Sequence, residues 1–126
     1  MTPPLTFVFP LPENLANARM HWAVKNLKRR DFFDSCDARQ NAGLLPPPPK
    51  QPFQKVVVVN ECLYLAGHMD DDNAAHRVKW IWDWLKTRGY IADDRKKNIV
   101  RMEYPKQRVK RDNNYRVELT IQELKA

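Results

Sequence analysis

Lys55-Val56-Val57-Val58-Val59-Asn60-Glu61-Cys62-Leu63-Tyr64-Leu65 is the strongest strand signal in the chain. A continuous apolar run of this length predicts a central strand buried on both faces. Gly67 ends it, and Asp70-Asp71-Asp72-Asn73 follows. From Asn73 to about Arg88 the pattern turns helical, with Val78, Ile81, Trp82 and Leu85 on one face and Gly89 placed as a C-terminal cap. Tyr90-Ile91-Ala92 then leads into a second acidic pair, Asp93-Asp94. A strand, a helix and two acidic turns thus form one unit.

Working outward, Leu5-Thr6-Phe7-Val8-Phe9 reads as a first strand ended by Pro10 and Pro12. Residues from about Ala18 to Asp37 carry a partial apolar stripe through Met20, Val24, Leu27 and Phe32, and Lys25, Lys28, Arg29 and Arg30 fall mostly off it. Positions 44–53, with Pro46-Pro47-Pro48-Pro49 and Pro52, cannot be helix or central strand and read as a stiff connector. Ile99 to Tyr104 and Tyr115 to Ile121 alternate as two further strands, joined by a basic loop. The order β-α-β-α-β-β predicts one α+β domain over 1–126, a small mixed sheet of about four strands packed with two main helices.

At 126 residues, 43% of them hydrophobic, the chain can build one core. No run approaches the roughly 20 apolar residues of a membrane span, and the N-terminus lacks a signal-peptide pattern, so a cytoplasmic protein without membrane partners is expected. Cys36 and Cys62 share no motif and read as reduced, buried thiols. The net charge of +7 is spread over several patches, which suits a folded surface touching phosphates at many points.

Acids crowded into two clusters of a basic chain need a cause, because adjacent carboxylates repel by about 1 kcal/mol per close pair even in water. If the backbone is extended at Asp70, residues 70 and 72 point the same way and Asp71 points away. Asp72 or Asn73 would cap the next helix. Asp93 or Asp94 would return to the same end of the sheet. Carboxylates gathered so suit hard cations, Mg²⁺ or Mn²⁺, and sites of that kind serve phosphodiester hydrolysis. The competing reading is structural: helix caps and a turn. Trp80, Trp82 and Trp84 are stepped by about 200° and cannot share one core face, so one or two suit a dimer interface or stacking on bases. Arg95-Lys96-Lys97, directly after Asp94, reads as a solvated turn or a phosphate clamp.

Met69-Asp70-Asp71-Asp72-Asn73-Ala74-Ala75-His76-Arg77-Val78-Lys79, then Asp83-Trp84-Leu85, Gly89-Tyr90-Ile91 and Asp93-Asp94, resembles the RusA family of Holliday junction resolvases, in its phage and prophage branch. Leu11-Pro12, Asn17, Arg19 and His21-Trp22 are similar to that branch's N-terminal motif. The resemblance implies a Mg²⁺-dependent homodimer that cuts branched double-stranded DNA. It implies that Asp70, Asp72 and Asp94 bind metal and that Lys79 lies near the scissile phosphate, two turns beyond Asp72 on one helical face. Arg19, His76, Arg95, Lys96 and Lys97 are the accompanying candidates for DNA contact. A non-catalytic DNA-binding module that keeps the fold is the alternative expectation.

Overall fold

The computed structural model describes residues 3–14 and 21–125. Arg19 and Asn17, two positions of the N-terminal motif, lie outside the described residues, as does Met20.

Five strands form one mixed sheet: β1 (Leu5–Pro10), β2 (Val56–Leu65), β3 (Ile99–Val100), β4 (Lys106–Val109) and β5 (Arg116–Glu123). The order is β1-β5-β2-β3, and β4 also pairs with β2. β2 is central, as its apolar run predicts. It is antiparallel to β5 and parallel to β3 and β4, which occupy opposite ends of its other edge. β4 is the strand missing from the four-strand expectation. Its sequence, Lys-Gln-Arg-Val, has no apolar alternation because it lies at the sheet edge, where backbone pairing alone holds it. The alternation from Ile99 to Tyr104 overstates β3: only Ile99 and Val100 pair.

One register irregularity shapes the site. The β2–β5 ladder slips at Val59, so Val58 pairs with Ile121 but Asn60 pairs with Thr120. A bulge of this kind reverses the side-chain phase of the strand that follows. Val56 and Val58 share the β5 face of Leu119 and Ile121; beyond the bulge the same face takes Glu61, Leu63 and Leu65. Val59 itself is exposed. The run is therefore not buried on both faces throughout.

The core-facing side of β5 carries Val117, Leu119 and Ile121, all buried, and Glu118, Thr120 and Gln122 alternate onto the half-exposed side. Phe7 and Phe9 do the same on β1. Burial on one face with polar residues on the other is the pattern of a two-layer domain. Phe7, Phe9, Trp84 and Tyr90 form an aromatic cluster with centroids 5.2 to 5.7 Å apart.

α1 (Trp22–Asn41) starts and ends later than the stripe suggests. His21 caps it, its Nδ1 accepting from the Ala23 N–H at 3.2 Å. Only Phe32, Phe33 and Cys36 are buried; Trp22, Val24 and Leu27 are exposed, so the N-terminal half of the stripe does not face the core. The helix stops because Gly43 adopts φ 76°, letting Leu44 N–H reach Arg39 O and Gly43 N–H reach Gln40 O.

The second predicted helix is two: α2 (Asp71–Arg77) and α3 (Lys79–Thr87), broken at Val78. Gly89, at φ 83°, ends α3 by the same double bond, with Tyr90 N–H to Leu85 O and Gly89 N–H to Lys86 O. Trp82 and Trp84 are both buried. They face different neighbours, because α3 is packed on more than one side: Trp82 Nε1 donates to Glu61 and Trp84 Nε1 donates to Asp37. Trp80 is half-buried, near the Phe32 ring.

The Pro-rich segment is strapped to the core at both ends. Leu45 and Phe53 are buried, Tyr90 OH donates to Pro46 O, and Phe53 exchanges backbone bonds with Tyr90 and Ala92. Cys36 and Cys62 are free and buried, and burial pushes the Cys36 thiol up to about 12. No helix among the described residues is long and apolar enough to cross a membrane.

Candidate functional site

The acidic run begins where β2 has ended, and Gln107 of β4 fixes its position. Gln107 Oε1 accepts from Met69 N–H at 2.9 Å and its Nε2 donates to Met69 O at 3.0 Å. One side chain thus imitates a strand partner and ties Met69 to the sheet edge. Nothing in the basic loop expected there signals this role.

Asp70 is the N-cap of α2 and is extended, with ψ 145°, but its side chain makes no capping bond. Neither Asp72 nor Asn73 is the cap. Asp71 and Asp72 already lie in the first helical turn. The strand alternation expected to align Asp70 with Asp72 and turn Asp71 away therefore does not apply. Helix geometry rotates residues by about 100° each. Asp71 Oδ1 is 3.5 Å from Gln107 Nε2. Asp72 sits near the Tyr104 hydroxyl, whose acidity is lowered first by Glu103 and then by Asp72.

The second acidic pair forms a turn. Asp93 Oδ1 accepts from Asp94 N–H at 2.8 Å, and its Oδ2 is 3.0 Å from Arg95 Nε. Desolvation is the largest single influence on Asp93 and pushes its carboxyl up, but its hydrogen bonding with Asp94 and the charges of Arg95 and Lys86 together hold it below the usual range. Asp94 Oδ1 is 3.9 Å from Lys86 Nζ. Oxygen-only donors of this kind suit a hard cation. Yet among the described residues no three His, Cys, Asp or Glu side chains are grouped so as to hold a metal ion. The sequence-predicted donors Asp70, Asp72 and Asp94 are not gathered as a triad in this arrangement.

Lys79 is the first residue of α3, so the break at Val78 puts it on a different helix from Asp72. The break does not separate it from the late acidic pair. Ala75, His76, Lys79, Trp82, Asp94 and Arg101 line one cleft of about 300 Å³. His76 and Lys79 also line a neighbouring groove of about 210 Å³ against α1, with Lys25, Arg29 and Trp80 among its walls. Asp94, Lys96 and Arg101 border a third depression, of about 540 Å³. Arg95, Lys96 and Lys97 are exposed beside it, with Arg95 engaged by Asp93.

Two residues of this neighbourhood escape sequence reasoning. Glu61, 7% exposed, is the one buried charged side chain among the described residues. Its Oε2 accepts from Trp82 Nε1 at 2.8 Å and lies 3.6 Å from Arg101 Nη1. Burial raises its carboxyl above the usual range, against the pull of Arg101 and Trp82. Arg101 lies over the Trp82 ring, 5.2 Å from its centroid. An acid inside an apolar strand is the signal that was available for Glu61. Arg101 gave none.

No protein-family model matches the chain, and no curated protein matches it.

Proposed function

We propose that the protein is a Mg²⁺-dependent, structure-selective endodeoxyribonuclease of the RusA-like kind, a cytoplasmic homodimer hydrolysing phosphodiesters in branched DNA. The observation that carries this reading is the cleft itself. Lys79 and Asp94 come from separate motifs of the resemblance, and both line it, with His76 and Arg101. A chain of net charge +7 adds a long-range attraction for a polyanion.

What the chain itself supplies at the cleft is mostly positive charge. Lys79 is exposed on the first turn of α3, where its ammonium can contact a phosphate and stabilise charge that develops on it. His76 precedes it on the cleft wall and supplies a second nitrogen donor. Asp70, Asp72 and Asp94 are the acids proposed for Mg²⁺, or Mn²⁺ in its place; their separation is the specific observation that favours the second reading, a DNA-binding module without cleavage activity.

A synthetic four-way junction separates the two. Wild type is expected to cut it with Mg²⁺, while Asp72→Asn binds it and leaves it intact. Binding by both proteins with cleavage by neither would leave the module reading standing.

A further inference from the structure

Bonded to two residues of the cleft wall is a buried charge that the proposed chemistry does not use. Glu61 is carried inward by the bulge at Val59; in unbroken register Asn60 would occupy that face. A buried carboxylate is costly unless it is paired and hydrogen-bonded. Glu61 has both kinds of partner, and both are cleft-lining residues: Trp82 through its indole N–H and Arg101 through its guanidinium. Arg101 is therefore held from two directions, by the Glu61 carboxylate at 3.6 Å and by the Trp82 ring 5.2 Å beneath its Cζ.

Arg101 also stands where the chain leaves the sheet. Val100 is the last paired residue of β3, and the ladder resumes only at Lys106. Arg101 thus projects from the gap between two short edge strands and lines both the Lys79 cleft and the depression beside Lys96. A guanidinium carries five N–H donors in a planar fork, and one ion pair at 3.6 Å leaves most of that fork for another acceptor. Phosphate oxygens match the fork in geometry and charge.

Resting on the DNA-directed reading above, we propose that Arg101 is a backbone-phosphate ligand of the cleft, and that Glu61 is a positioning residue that holds its guanidinium against Trp82. The ligand class is a phosphodiester. Lys79 and Arg101 would hold one nucleic-acid strand from two sides of the cleft.

The test is binding of a fluorescent four-way junction in EDTA, with KCl varied, so that cleavage does not enter. Loss of one phosphate contact lowers the salt slope by about 1 and weakens binding about tenfold near 0.1 M salt. Arg101→Ala is expected to show both changes, and Arg101→Lys to keep most of the slope. Glu61→Gln retains an acceptor for Trp82 but removes a negative charge. Simple electrostatics would make it bind DNA more tightly; loss of positioning makes it bind several-fold more weakly, which is the expected result. An Arg101→Ala protein with unchanged affinity and slope, a Lys variant as impaired as the Ala variant with no slope change, or a Glu61→Gln protein that binds as well as or better than wild type would each overturn the proposal. The nuclease reading survives those outcomes. Failure of wild type to bind DNA at any salt overturns both.

Discussion

Lys79→Ala is expected to slow cleavage of a four-way junction about a hundredfold to a thousandfold, the scale found for removing one preorganised donor to developing charge. Lys79 is exposed at the start of α3, and the core under it is built by Val78, Ile81 and Trp82. The substitution therefore leaves the fold in place, and the melting temperature is expected to stay within a few degrees, as for most surface changes. Binding in EDTA should fall only by the worth of one phosphate contact. A loss much greater in rate than in binding locates the residue at the reacting phosphate; equal losses in both would make it a general DNA contact. Single-turnover cleavage and binding titrations on the same preparation supply the comparison.

The largest expected loss of stability follows Trp84→Ala. Trp84 is fully buried, lies 5.7 Å from the Phe9 ring and 5.2 Å from the Tyr90 ring, and donates its indole N–H to Asp37 at 2.9 Å. Truncating a buried tryptophan costs about 3–5 kcal/mol. A domain of this size has about 5–15 kcal/mol in all. The melting temperature should fall by about 10–20 °C. Asp37 keeps its two-pronged pairing with Arg88, at 2.7 Å to each oxygen, so the loss comes from the cavity more than from an orphaned carboxylate. Those Arg88 bonds, foremost, hold the Asp37 carboxyl below its usual range. Trp80→Ala is the control: its half-buried ring should cost much less in the same thermal scan.

The strand β2, its central place and the Gly89 cap were legible because each rests on a local signal: an apolar run, and a glycine where a positive φ ends a helix. β4 was not, because an edge strand held by backbone bonds needs no hydrophobic pattern. The exposed start of α1 misleads in the opposite way. Val24 and Leu27 have helical spacing, but spacing identifies a face without saying that anything covers it. For the site, sequence named the acids and Lys79. The structure brings Lys79 to Asp94 but puts Asp70 at a helix cap and Asp71 and Asp72 in the helical turn after it. The strand alternation used to single out Asp71 ended one residue too early. Glu61 stands out in sequence only as an acid in an apolar strand; its inward turn depends on a one-residue bulge, and the place of Arg101 on the gap between β3 and β4, neither of which has a residue signature.

The central claim is that Asp70, Asp72 and Asp94 hold the ion that makes the Lys79 cleft a nuclease centre. Crystals of the wild-type protein soaked in Mn²⁺ test it most directly, because the ion's anomalous signal marks its position. A peak bounded by Asp94 and by the Asp70 and Asp72 carboxylates is expected, with oxygens at about 2 Å. Three carboxylates still apart at saturating Mn²⁺, with no peak between them, would contradict it.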